Sequence, residues 1–267
     1  MHLLVVLGLV AATSGCRLLP NRSASVPPWP GGVASTWQWQ LSGALDPTVD
    51  AQVYALDVFR TTLEESRRLR ADGRRLMCTV EVGILHRVRP DEQRFPAEIL
   101  GRPARVPGQP EGAPAGRWLD IRQWSSLEPV LADRFRVCRG KGFVAVLPFG
   151  MDGYTAETGF PLTFDDQFRF NRAVAALIRQ VGLSPGLVND LDQVLALEPY
   201  FDFAVNEECF RRKSCDRLLP FVDAGKPVFH VEYEGSTADY CRTALGYGFS
   251  SIGKDRNLGP RRDICPH

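Results

Sequence analysis

The stretch VAVLPFGMDGY, residues 144–154, decides the fold. Val144 to Leu147 is apolar without polar alternation, the pattern of a strand covered on both faces, as in a parallel sheet. Pro148 and Gly150 end it, and Asp152, the only charge, is presented in the turn that follows. Working outward, TWQWQLSG, VYALDVF, RLMCTVEVG, LSPGLVND, FDFAVNEE, KPVFHVEY and GFSSIGKD have comparable apolar or β-branched cores, which makes eight candidate strands. Helix-compatible stretches lie between them at 62–71, 128–141, 164–181 and 237–245. A helix that returns the chain to the same sheet edge makes successive strands parallel, and eight such units predict a single (β/α)8 TIM barrel over 35–267. The Pro-, Gly- and Arg-rich insertion 86–117, after the third strand, is expected to form a binding loop or lid.

Bulk properties narrow the function classes. The 267 residues, 44% hydrophobic and 24% charged, suffice for one large core. With 32 basic and 31 acidic residues there is no general field to recruit nucleic acid or an anionic membrane. Leu3 to Ala12 is too short an apolar run to span a bilayer and suits a cleaved export signal. Cys16, after Ser14 and Gly15, resembles the lipidated cysteine of a bacterial lipoprotein signal, which implies membrane attachment through Cys16. Residues 1–16 are therefore read as an export signal and 17–34, rich in Pro, Ser and Gly, as a spacer.

Export to the cell surface or beyond places the other six cysteines in an oxidising compartment. Cys209 with Cys215 would close a short loop and Cys241 with Cys265 would staple the C-terminal tail, while Cys78 and Cys138 are either a bridge or two buried thiols. No CxxC or HExxH pattern occurs and the four histidines are scattered, so neither a metal site nor a cofactor is expected.

Residues at the C-terminal ends of barrel strands converge on one mouth. Those positions hold Asp57, Glu81, Asp152, Asn189 with Asp190, Glu207 with Glu208, and Glu232. Any one acid there serves equally as a helix N-cap. Gathered together they repel one another, a cost that suggests a use. Glycoside hydrolysis needs two carboxyl groups across the scissile bond, and Glu207, Asp152, Asp57 and Glu81 are the candidates. Trp37 and Trp39 share a strand face and are either core or a platform for a sugar ring. Gln40, Asn189, Asp190, Tyr154 and Glu232 complete the expected substrate-binding set.

The blocks TWQWQLSG, VYALDVF, RPD (89–91), WLDIR (118–122), MDGY, TGFPLT, LVND, FDFAVNEECF and AGKPVFHVEY resemble, in order, glycoside hydrolase family 114, the endo-α-1,4-polygalactosaminidase barrels, from Thr36 to Cys265. The resemblance implies a TIM barrel that cleaves polysaccharide containing galactosamine or N-acetylgalactosamine, with Glu207 as acid/base. Where the family carries an EPDN-like segment this chain has LPFG, so Phe149 stands where the resemblance implies the nucleophilic aspartate. Two readings follow. One is a divergent glycosidase in which Asp152, Asp57 or Glu81 supplies the second carboxylate beside Glu207. The other is a catalytically silent barrel that binds an amino-sugar polymer at the cell surface.

Overall fold

The computed structural model describes residues 29, 35–106, 108–109 and 116–265; the leader and Cys16 lie outside them. In chain order the strands are β1 (Trp37–Gln40), β2 (Val53–Asp57), β3 (Arg75–Glu81), β4 (Ile84–Leu85), β5 (Leu100–Ala104), β6 (Gly116–Leu119), β7 (Ala145–Phe149), β8 (Ser184–Val188), β9 (Phe203–Glu207), β10 (Val228–Glu232), β11 (Ser250–Gly253) and β12 (Asp263–Ile264). The helices are α1 (Leu63–Ala71), α2 (Trp124–Gly140), α3 (Phe164–Val181), α4 (Val194–Leu197), α5 (Leu219–Asp223) and α6 (Thr237–Gly246). Capping boxes start three of them, Thr62 with Glu65, Thr163 with Asp166 and Ser236 with Asp239, each satisfying amides the first turn leaves free.

One curled sheet runs β1-β2-β3-β7-β8-β9-β10-β11-β12, parallel throughout except for the short β12. The eight parallel strands are the eight expected ones. Among the described residues no ladder joins β11 to β1, so the sheet is a curled α/β sheet and not a fully laddered eightfold ring. Other bonds cross that seam: Trp37 Nε1 donates to Ser250 O at 2.9 Å, Leu41 N to Leu258 O at 2.8 Å and Arg262 Nη1 to Trp37 O at 2.6 Å. The C-terminal segment thus occupies the gap, and the Cys241–Cys265 disulfide ties it to α6. The other bridges are Cys78–Cys138, joining β3 to α2, and Cys209–Cys215.

Period-two alternation sorts side chains into two layers. Tyr54, Leu56, Leu76, Cys78, Val146 and Ala204 pack outward against helices. Trp37, Trp39, Val53, Ala55, Met77, Ala145, Leu147, Phe149, Phe203, Val205, Phe229 and Val231 fill the interior. Trp29, from the stretch read as spacer, joins that inner cluster and lies 5.3 Å from the Phe203 ring. The insertion is not an irregular loop: β4, β6 and β5 form a three-stranded antiparallel sheet, because local pairing satisfies backbone groups that a buried loop would leave bare.

Candidate active site

The β7–β8 ladder ends after Ala145↔Ser184 and Val146↔Pro185, and a cavity of about 560 Å³ opens above it at the C-terminal ends of β7 to β10. Asp152, Tyr154, Asn189, Asp190 and Glu207, expected from the sequence, all line it. Ile84, Arg105 and Trp118 form the wall that the small antiparallel sheet contributes. Gly150, at φ 83°, lets β7 turn sharply; a Cβ on Gly83 would sit 2.0 Å from Gly150 O, so two strand ends cross here with no room for side chains. That crossing delivers Asp152 to the cavity rim.

Glu207 ends β9 on the inward face and is held on both oxygens. The Tyr233 hydroxyl donates to Oε1 at 2.5 Å and Asn189 Nδ2 donates to Oε2 at 2.9 Å. Asn189 Oδ1 in turn accepts from the Glu207 N–H at 2.9 Å. Asn189, Asp190 and Glu208 all have positive φ, at 56°, 51° and 63°, a strained backbone that such sites concentrate. Burial and the Glu207 charge raise Tyr233 well above an ordinary phenol. Arg256 lies 5.1 Å from the centre of the Tyr233 ring and binds Glu208 at 2.7 Å. For Glu208 burial acts upward but Arg256 and Arg211 outweigh it, so its carboxyl is lowered.

Asp152 and Asp190 are shifted the other way. Burial, then the Glu207 charge, raises Asp152 to about 6. Burial, then the Asp152 charge, raises Asp190 to about 8, against hydrogen bonding that lowers it. Asn171 Nδ2 donates to Asp190 Oδ2 at 2.8 Å, and the buried Tyr154 hydroxyl lies against the same carboxyl.

Six expected site residues do not reach the cavity. Asp57 and Glu81 point inward, but Arg89, from the insertion, pairs with both: Nη2 donates to Asp57 Oδ2 at 2.7 Å and Nε to Glu81 Oε2 at 3.1 Å. They form a buried structural ion cluster. Trp37 and Trp39 are 1% and 0% exposed and stack on each other at 5.8 Å, so they are interior packing and no sugar platform. Gln40 faces out of the barrel and binds Ala44 O at 2.6 Å, organising the β1–β2 loop. Glu232 faces outward beside His230 and accepts from Phe210 N at 2.9 Å, which anchors the loop after β9. Tyr233 and Trp118 were missed. Tyr233 continues the inward column of Phe229 and Val231 and was findable by parity; Trp118, just after the insertion, stood in the WLDIR block but had no such signal of its facing.

Comparison with known proteins fits this arrangement. Among curated proteins no match was found. Ega3 of Aspergillus fumigatus, solved in complex with galactosamine, is 29% identical, with a TM-score of 0.81 over 89% of this chain and 97% of that one. The glycoside hydrolase domain of PelA from Pseudomonas aeruginosa, 12% identical, has a TM-score of 0.65 over 88% of this chain and 100% of that domain, and shows the fold. An old yellow enzyme homologue from Zymomonas mobilis, at 12% identity and TM-score 0.54 over 82% and 84%, shares the barrel-like architecture only. The model of glycoside-hydrolase family GH114 matches residues 19–267. Matching nearly the whole chain, it shows that this chain belongs to glycoside-hydrolase family GH114.

Proposed function

We propose that the protein hydrolyses a polysaccharide containing galactosamine or N-acetylgalactosamine, with Glu207 and Asp152 as its two carboxylates. The carrying observation is that these acids line one cavity and that the Glu207 charge acts directly on Asp152. Such a pair supplies what glycosidic cleavage requires, a proton for the leaving oxygen and an electron pair on the anomeric side. The amino-sugar substrate is supported by the likeness to Ega3, solved with galactosamine. Trp118 on the cavity wall offers the ring face that Trp37 and Trp39 do not. Closure of the sheet into a (β/α)8 barrel, with the C-terminal segment as its seam, belongs to the same reading. So does export, which three disulfides in the folded domain favour, and with it the lipid attachment at Cys16 expected from the sequence alone.

The test is reducing-end release from acetylated and deacetylated galactosamine polymers by the wild type, Glu207→Gln and Asp152→Asn. Release that both substitutions abolish supports the reading. One observation favours binding without turnover: Phe149, apolar and 3% exposed, ends β7 where the resemblance implies a nucleophile. Tight polymer binding with no release at any pH would establish that alternative.

A further inference from the structure

Glu207 is gripped at two points that the fold holds with unequal firmness. Asn189 Nδ2 donates to Oε2 at 2.9 Å, and Asn189 is itself fixed from three sides: its N–H donates to Val205 O at 2.9 Å, and its Oδ1 accepts from Glu207 N at 2.9 Å and from Asn206 Nδ2 at 3.2 Å. Tyr233, which donates to Oε1 at 2.5 Å, stands just past the end of β10, in a loop that turns at Gly235 with φ 85°. Beyond the strand ladder, the tilt of its ring is set by what packs on it. That neighbour is Arg256, from the loop after β11, whose guanidinium carbon lies 5.1 Å from the centre of the Tyr233 ring. One nitrogen, Nη2, sits between two carboxylates, Glu208 Oε1 at 2.7 Å and Glu234 Oε1 at 2.6 Å. Glu208 is the firmer post: it is 4% exposed, its N–H donates to Val231 O at 2.8 Å, and Arg211 Nε donates to the same Oε1 at 3.0 Å. The guanidinium is thus strung between the loops after β9, β10 and β11, over the phenol that touches Glu207.

We propose that Arg256 is a positioning residue: tethered by Glu208 and Glu234 over the Tyr233 ring, it keeps the phenol on Glu207 Oε1 and so fixes the aim of that carboxyl into the cavity. The assignment rests on the hydrolase reading above, in which Glu207 is one of the two carboxylates, and it holds whichever half of the chemistry Glu207 performs. Arginine suits the task because a planar fork covers a ring and reaches both acids at once, whereas an ammonium is a point charge. A carboxyl that loses one of its two donors can swing about its last torsion, and a displacement of about 1 Å at a reacting group costs about 10²-fold in rate. The ring face of Trp118 stays available to the sugar, so the loss falls on kcat and not on KM. Arg256 also lines the cavity, and holding Tyr233 has to be separated from touching the sugar directly.

A double-mutant cycle of Arg256→Gln and Tyr233→Phe makes that separation, read as reducing-end release from acetylated and deacetylated galactosamine polymers. Tyr233→Phe deletes only the hydroxyl and is expected to lose about 10- to 10²-fold in kcat, and Arg256→Gln about tenfold, each with KM within about twofold of wild type. The double variant should fall no more than about twofold below Tyr233→Phe, because without the hydroxyl Arg256 has nothing to hold on Glu207. Arg256→Lys, which keeps the charge and loses the fork, should stay within about twofold of Arg256→Gln. Losses that multiply in the double variant overturn the assignment, as does full recovery by the lysine or a wild-type kcat in Arg256→Gln. A loss confined to KM would make Arg256 a direct sugar contact and overturn it too. Wild-type protein that releases nothing from either polymer would instead sink the hydrolase reading, and this assignment with it. The Arg256 side chain is 35% exposed, so its variants are expected to fold; unchanged circular dichroism and melting of each variant check this.

Discussion

Replacing Glu81 by Gln separates a structural acid from a catalytic one. Glu81 is 2% exposed, and although burial pushes its carboxyl up, His86 and Arg89 outweigh that and hold it at about 2, below its ordinary 4.5. A carboxyl so depressed contributes about 3 kcal/mol, at about 1.4 kcal/mol per tenfold change in proton affinity. The folded value lies below the unfolded one, so this stability is fully present above about pH 4.5 and is lost as pH falls through about 2. Gln keeps the shape, leaves Arg89 paired with Asp57 at 2.7 Å and cannot titrate. The wild-type advantage over Glu81→Gln should therefore be about 3 kcal/mol at pH 6 and shrink by about 2 kcal/mol by pH 3. Denaturant melts with the disulfides intact, extrapolated linearly at each pH, measure it. An advantage that stays constant with pH would refute the reasoning. So would a collapse of kcat/KM in fully folded Glu81→Gln, because that would return Glu81 to the chemistry.

Disulfide removal should rank by the chain each closes. With separations of 60, 24 and 6 residues, serine variants of Cys78–Cys138, Cys241–Cys265 and Cys209–Cys215 are expected to lose about 4, 3 and 2 kcal/mol in denaturant titrations. Trp39→Ala should cost about 3 to 5 kcal/mol through an interior cavity, whereas Trp118→Ala, at a half-buried ring packed on Ile84, Ala104 and Val106, should cost less and raise KM for the polymer. Asp190, raised to about 8, binds its proton more tightly folded than unfolded, so wild-type stability should fall relative to Asp190→Asn as pH climbs from about 4 to about 8; paired thermal melts across that window check the sign.

The strands were legible because a parallel sheet covered on both sides writes itself as apolar runs, and each of the eight runs became a parallel strand. Parity was legible too: Asp57, Glu81 and Glu207 occupy the inward positions that alternation assigns. What alternation does not encode is which acid meets a cation. Arg89 lies in the insertion, with no periodic relation to β2 or β3, yet it removes Asp57 and Glu81 from the cavity by pairing with both. The two tryptophans of β1 were ambiguous for a similar reason. A ring on an inward face is a platform if the interior is open there and packing if it is filled, and Phe149, Phe203 and Phe229 fill it. Glu232 and Gln40, expected in the substrate-binding set, lie on outward faces, opposite to the inward Val231 and Trp39 beside them.

Phe149 explains why the acid at this site stands where it does. The inward column of β7 reads Ala145, Leu147, Phe149, and the Phe149 ring packs on Trp39 at 5.6 Å. The ring also lines the cavity, and its partner in register on β3 is Glu81, which Arg89 holds. Beyond Phe149 the strand rule stops applying, because Gly150 turns the backbone to positive φ against Gly83 and sends Met151 into the outer, helix-packed cluster. The next side chain, Asp152, then emerges beside Glu207 at the edge of the interior, where a carboxyl can change protonation without being trapped in the core. The apolar strand end and the displaced acid are thus two consequences of one substitution pattern. The glycine crossing carries Asp152 past the ring to the cavity that both residues line.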